Sequence, residues 1–270
     1  MVDGKRTARV GAGLALVAIC TACSTAAPRS RGVWQNLPFT ALVSGYYDGT
    51  TPIGAAKLQG DVGLGAFDAL DGEVVVLDGH LYRFRSQGGV DEPPDSARLA
   101  FAMMAPLVAD GDPVPVPAGS DFAGLGAFLD TRIPTKNTFY ALRIDGTFAA
   151  VLARTFPRQE KPYPPLCSVV PTAPSSCLTA VEGTLIGFRS PEYIGDLNIP
   201  KYHFHFISRD RQSGGHVLEM RVAQASARIA RLDGYTLDFP SGEAFARLPI
   251  TTPAPSCPPP KPPCPPPTTP

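Results

Sequence analysis

The 270 residues balance 24 basic against 24 acidic side chains with no basic block, which argues against nucleic acid or an acidic surface as partner. That length suits one large domain or two modest ones with a real core. Twenty-six glycines and 31 prolines favour turns, strands and loops over long helices.

Residues 1–22 read as a signal peptide of lipoprotein type. Lys5, Arg6 and Arg9 form a basic head, and the apolar stretch from Val10 to Cys20 is shorter than the ~20 residues needed to span a bilayer. Thr21-Ala22-Cys23 resembles the end of a bacterial lipobox, with Cys23 as the expected lipid anchor, although Cys20 stands where Leu is usual. Plain cleavage near Ala26-Ala27 is the alternative. Either way the chain is expected in the cell envelope or periplasm, with 23–36 as a linker.

From residue 37 onward the pattern is mostly strands. GLGAFDAL (63–70), EVVVLDG (73–79) and HLYRFRS (80–86) read as a meander punctuated by Gly and Asp, and RLAFAMM (98–104) as a further strand. Ser120 followed by DFAGLGAFLDTRI predicts a capped helix with Phe122, Leu125, Phe128 and Leu129 on one face. NTFYALRIDGTFAAVLART (137–155) reads as a hairpin turning at Asp145-Gly146. GTLIGFRS (183–190), YHFHFIS (202–208), HVLEMRVA (216–223) and SARIARL (226–232) follow as strands. The expected fold is α+β with mixed or antiparallel sheets and few helices. It divides into two sheet-based halves, 37–135 and 136–250.

The last twenty residues, 251–270, hold eleven prolines and read as an extended, polyproline-like tail, a plain spacer with a ligand for a Pro-binding partner as the alternative. In an oxidising compartment Cys167, Cys177, Cys257 and Cys264 invite disulfides, and local pairing, Cys167 with Cys177 and Cys257 with Cys264, is the simplest of three connectivities. Their spacing does not suit a structural zinc site.

Three of the four histidines fall within YHFHFISRDRQSGGH (202–216). On a strand, His203 and His205 project to one face while Tyr202, Phe204 and Phe206 take the other. The polar, glycine-ending RDRQSGG lets the chain reverse and bring His216 alongside. Three neutral imidazoles on one side of a sheet make an open-sided metal site of the catalytic zinc kind. Alternation alone also yields a polar surface stripe, and other histidine metal folds share the spacing, so the pattern points to a metal and not to a reaction.

The stretch VEGTLIGFRSPEYIGDLNIPKYHFHFISRDRQSGGH (181–216) closely resembles the corresponding region of α-acetolactate decarboxylases. SGYYDG (44–49), GDVGLGAFDALDGEVVVLDG (60–79), FYALRIDGTF (139–148) and EKPYPP (160–165) resemble other segments of that family, so the likeness covers roughly 37–235. It implies a two-domain fold on mixed sheets, commonly dimeric, and zinc-dependent conversion of 2-acetolactate to acetoin and carbon dioxide.

Carried onto matching positions, His203, His205 and His216 become zinc ligands, Glu73 the acidic residue at the metal and Arg143 the catalytic cation. The substrate's adjacent hydroxyl and ketone suit one open-sided zinc ion. Departure of carbon dioxide leaves an enediolate whose charge a Lewis acid stabilises. Arg143 would hold the carboxylate, and Glu73 would deliver or relay the final proton. No organic cofactor is required. Without the resemblance, Glu73 reads as a solvated turn carboxylate, Arg143 as an outward surface arginine, His80 as a hairpin residue and Glu192 as an exposed loop residue.

Two positions depart from the family pattern. Ala66 stands where Thr is usual, and the last acidic residue, Glu243, does not align with a further glutamate that reaches the metal. These departures keep a second expectation open: an exported domain of the same fold that binds metal or a hydroxy-keto acid without turnover.

Overall fold

A computed structural model describes Met1, residues 31–250, Thr252 and Cys257. The signal peptide beyond Met1, Cys23, residues 24–30 of the expected linker and nearly all of the Pro-rich tail therefore lie outside the described residues. The end of the expected 23–36 linker is not a linker: Gly32–Gln35 form a strand, with Val33 and Trp34 buried in the two cores of the first sheet. The first sheet contains β1 (Gly32–Gln35), β2 (Thr51–Pro52), β3 (Val62–Phe67), β4 (Glu73–Leu77), β5 (His80–Phe84), β6 (Val90–Asp91) and β7 (Arg98–Ala105). The second contains β8 (Val114–Val116), β9 (Phe139–Arg154), β10 (Ser175–Ser190), β11 (Lys201–Ser208) and β12 (Gly214–Leu232). β13 (Gly234–Leu237) returns to pair in parallel with β1. Short helices α1 (Phe39–Val43), α2 (Ile53–Lys57), α3 (Phe122–Asp130), α4 (Leu166–Val169) and α5 (Glu243–Ala246) occupy connections and edges. The mixed, largely antiparallel α+β architecture is the one expected.

The sheets do not divide at residue 135. β8, which precedes that point, joins the second sheet, and β13, which follows it, joins the first. In the second sheet β11 pairs with both β10 and β12, and both of those pair with β9, so the four strands form a closed ring of pairings.

One core lies between the sheets. Val75, Leu77, Phe101 and Met103 meet Phe139, Ile186, Phe188 and Ile207 there. The alternate residues Val74, Val76 and Met104 face a smaller core with Ile53 and Ala56 of α2. On the far side of the second sheet, Phe204 and Phe206 pack with Leu125 and Leu129 of α3. Burying each such phenylalanine is worth roughly 1.5–3 kcal/mol. The predicted helix is present with Asp121, not Ser120, as its cap: its carboxylate accepts from the Gly124 N–H at 2.8 Å.

Two predictions fail here for physical reasons. Asp145-Gly146 is not a turn; β9 runs straight through it for 16 residues. A Cβ at Gly146 would lie 2.2 Å from the Gln224 carbonyl, so the glycine admits the neighbouring strand rather than reversing the chain. The two strands predicted over 216–232 are one, β12, interrupted by register shifts near Glu219, Val222 and Gln224. Those irregularities lie beside residues 147–153 of β9, where the side chains change face: Phe148 and Val151, three apart, both enter the outer core.

The cysteine pairing also differs from the local one expected. Cys167 is bonded to Cys257 across 90 residues of sequence, and Cys177 is disulfide-bonded elsewhere.

Candidate active site

Alternation on β11 is as expected: His203 and His205 share the face of Ile207, towards the first sheet, while Phe204 and Phe206 take the opposite core. His216 comes alongside because β12 pairs His216 directly with His205 after the reversing loop. That reversal depends on close approach, since a Cβ at Gly214 would lie 2.1 Å from the Phe206 carbonyl. The three rings converge with His203 Nε2 3.0 Å from His216 Nδ1, and His216 Nδ1 3.3 Å from His205 Nε2.

The opposing strand orients the cluster. The Val74 carbonyl lies 2.8 Å from His205 Nδ1, and a carbonyl only accepts, so Nδ1 carries the proton and Nε2 presents a lone pair to the centre. The preceding residue, Glu73, shares the inter-sheet face with Val75 and Leu77 and places Oε2 3.7 Å from His205 Nε2. β4 thus supplies both the acid and the carbonyl that sets the imidazole.

The donor set fits a cation. The three ligand atoms lie within 4.8 Å of one another. Burial drives His203 and His216 well below the ordinary imidazole range and His205 down to about 3, so the rings stay neutral and their lone pairs available. A proton on His216 Nδ1 satisfies one neighbour only, whereas a cation at the centre satisfies all three nitrogens. Three imidazoles with an open position match a zinc-type site better than a calcium or magnesium site, which takes oxygen ligands.

These residues line a cavity of about 330 Å³. Its polar end also contains Arg154; its remaining walls include Phe39, Leu42, Phe101, Leu166 and Ile199. Arg154 is the cation sequence reasoning missed. Burial lowers its pKa against the opposing pull of Glu73, its Nε has no hydrogen-bond partner among the described residues, and its guanidinium stacks 4.5 Å from the Phe156 ring centroid. Burial likewise pushes the Glu73 carboxyl up to about 8, with Arg154 opposing. A partly desolvated guanidinium whose Nε has no partner among the described residues, beside the histidine cluster, is a ready seat for a carboxylate.

Arg143 is not in this cavity, which corrects its expected role. It is committed to Asp145, at 2.9 Å, and to Asp78, at 2.7 Å, in a cluster that also binds Arg228 and Thr184 to Asp145. A guanidinium already satisfied by two carboxylates has little left for a substrate. The face change in β9 explains the confusion: Arg143 and Arg154 lie eleven positions apart, which strict alternation would send to opposite faces. The sequence signal for Arg154 was modest, an arginine closing the apolar run AAVLA before Thr155-Phe156-Pro157.

The remaining candidates fall outside the cavity. His80 is exposed against Glu92, Glu192 is exposed near Lys201, and Glu243 is exposed and paired with Arg247. Ala66 does line the cavity and is the cross-strand partner of Glu73. Glu73 is the only carboxylate lining it among the described residues.

Residues 33–252 match the family described as Alpha-acetolactate decarboxylase. The chain is 38% identical over 216 residues to the alpha-acetolactate decarboxylase of Methylococcus capsulatus, covering 79% of this chain and 82% of that protein. Against that of Methanosarcina mazei the identity is 36% over 213 residues, covering 79% and 74%. The fold is similar to the crystal structure of alpha-acetolactate decarboxylase from Bacillus subtilis strain 168, with TM-score 0.80, 32% identity and coverage of 82% of this chain and 94% of that one.

Proposed function

Because the chain belongs to the alpha-acetolactate decarboxylase family, we propose that it is a carboxy-lyase that converts 2-acetolactate to acetoin and carbon dioxide, with zinc held by His203, His205 and His216. The observation that carries this reading is the meeting in a single cavity of three neutral imidazoles, one buried acid and Arg154, whose buried Nε has no hydrogen-bond partner among the described residues.

Zinc bound there supplies Lewis-acid stabilisation of negative charge on the substrate's hydroxyl and keto oxygens. Arg154 binds and orients the substrate carboxylate from the rim of the same cluster, and afterwards favours the anion left by loss of carbon dioxide. Glu73 holds a proton at its carboxyl, beside His205 Nε2, and hands it to one face of that anion, directly or through a water. The apolar walls from Phe39, Leu42 and Phe101 lower the local dielectric beside these groups and strengthen their charge interactions. Val74 keeps His205 in the tautomer that leaves Nε2 free. Substrate chemistry needs no further cofactor, because the ketone next to the departing carboxylate accepts the electron pair.

A second reading, a binding domain without turnover, draws on Ala66 opposite Glu73 and on Glu243 standing in solvent. Metal analysis of the purified protein, paired with acetoin assay before and after chelation, separates the two. Export, with anchoring at Cys23, remains part of the proposal and is supported by the Cys167–Cys257 bond, which suits an oxidising compartment. Assembly as a homodimer is likewise proposed on family likeness.

A further inference from the structure

The polar end of the cavity is built on ladders: His203, His205 and His216 on β11 and β12, Arg154 on β9 and Glu73 on β4. Another part of its wall is built differently. Phe39 and Leu42 come from α1, five residues long, and Leu166 from α4, four residues long. Helices that short have no stability of their own and depend on outside support.

That support includes the C-terminal segment. After β13, Phe245 meets Tyr46 edge-on at 5.5 Å between centroids, and Phe245 and Leu248 pack against the inter-sheet core. Cys257 itself lines the cavity and is bonded to Cys167 of α4. One residue of this bond therefore belongs to the cavity wall, and the other to the helix whose Leu166 forms the adjoining wall.

We propose that the Cys167–Cys257 disulfide sets the width of the substrate cavity, holding Cys257 against α4 so that the apolar wall limits the alkyl substituent the site admits. The proposal rests on the decarboxylase reading for its substrate, but not for its mechanical part. The substituent concerned is the one on the hydroxyl-bearing carbon, a methyl in 2-acetolactate. The polar groups of the substrate are claimed by the ladder end, which leaves that alkyl group for the apolar wall.

The test uses the full chain with Cys167→Ser and Cys257→Ser combined, which keeps side-chain size and removes only the bond. Wild type and variant are compared on 2-acetolactate and on its homologues with ethyl or propyl in place of methyl, well below either melting temperature. The expected result is that kcat/KM for the propyl homologue, relative to the methyl substrate, rises by about tenfold in the variant. Hydrogen exchange, which needs neither metal nor turnover, is expected to speed up by about tenfold in α1 and α4 with β9–β12 unchanged. A variant that merely melts earlier, with the homologue ratio unchanged and exchange raised evenly or not at all, overturns the proposal. If wild type makes no acetoin, the decarboxylase reading fails separately and the exchange pattern decides this one. Should the serine pair not fold, Cys167→Ala with Cys257→Val refills the space without a bond and carries the same readouts.

Discussion

Arg154 and His216 are direct partners across the β9–β12 ladder. His216 is in turn the partner of His205 across β11–β12, so the guanidinium and two of the imidazoles lie side by side in one row over three strands. Their relative positions are fixed by backbone hydrogen bonding rather than by loops, which is how a site holds sub-ångström geometry.

Arg154 and Arg143 should behave oppositely. Arg154→Ala is expected to lower kcat by about 10²–10³-fold, as loss of one oxyanion-stabilising donor does elsewhere. Arg154→Lys should restore only part, since an ammonium cannot present a planar fork. Arg143→Ala should lower the melting temperature, because Asp78 and Asp145 lose a partner, yet leave kcat/KM within about threefold of wild type. Steady-state kinetics on the three variants decide it.

Glu73→Gln keeps the shape of the side chain and removes its acid. If Glu73 delivers or relays the proton, kcat should fall by about 10²–10⁴-fold while bound metal, measured by elemental analysis, stays at the wild-type level. Loss of the metal itself would instead make Glu73 a ligand.

His205→Ala should remove metal and turnover together. It deletes one of three nitrogens and also leaves the Val74 carbonyl without its 2.8 Å donor. Metal content and acetoin formation measured on the same sample test the coupling, and retained turnover in metal-free variant protein would exclude the zinc mechanism.

The Arg83–Asp91 pair should make the fold acid-sensitive. Arg83 donates from Nε and Nη2 to the two oxygens of Asp91, at 2.9 and 2.7 Å, and from Nη1 to Asp71, at 3.1 Å. Hydrogen bonding to Arg83 holds Asp91 below the usual carboxylate range. A carboxyl with a depressed folded-state pKa stabilises above its unfolded value of 3.8 and loses that contribution as pH falls from there through the folded value. Thermal melts from neutral pH down to about 2 should therefore show a steeper acid loss in wild type than in Asp91→Asn.

Gly146→Ala tests why the sequence misled. A turn glycine at an exposed hairpin tip would tolerate Ala with modest strain, whereas here the new Cβ would meet the Gln224 carbonyl and Ala225 at 2.2–2.6 Å. Destabilisation of about 1–3 kcal/mol or more in denaturant melts is expected.

The histidine geometry was legible because it needs only strand alternation and one reversing loop, both local. Glu73 was legible through its family segment. What local reading cannot see is register. Arg154 reaches the site because β9 changes face opposite the shifts in β12, and the pairing of Cys167 with Cys257 depends on where a distant segment returns. The Asp145-Gly146 pair carries the same letters whether it reverses a chain or lets two strands approach, and only the neighbouring strand decides. Likewise β8 and β13 exchange sheets because sheet edges are filled by whichever short strand fits.

The most direct test of the central claim is acetoin formation from racemic 2-acetolactate by the purified chain, with and without a chelator and with spontaneous decarboxylation subtracted. Acetoin production that chelation abolishes and added zinc restores is the expected result. Protein that holds zinc at the histidine cluster yet makes no acetoin above the spontaneous rate, or makes it equally well after complete metal removal, would contradict it.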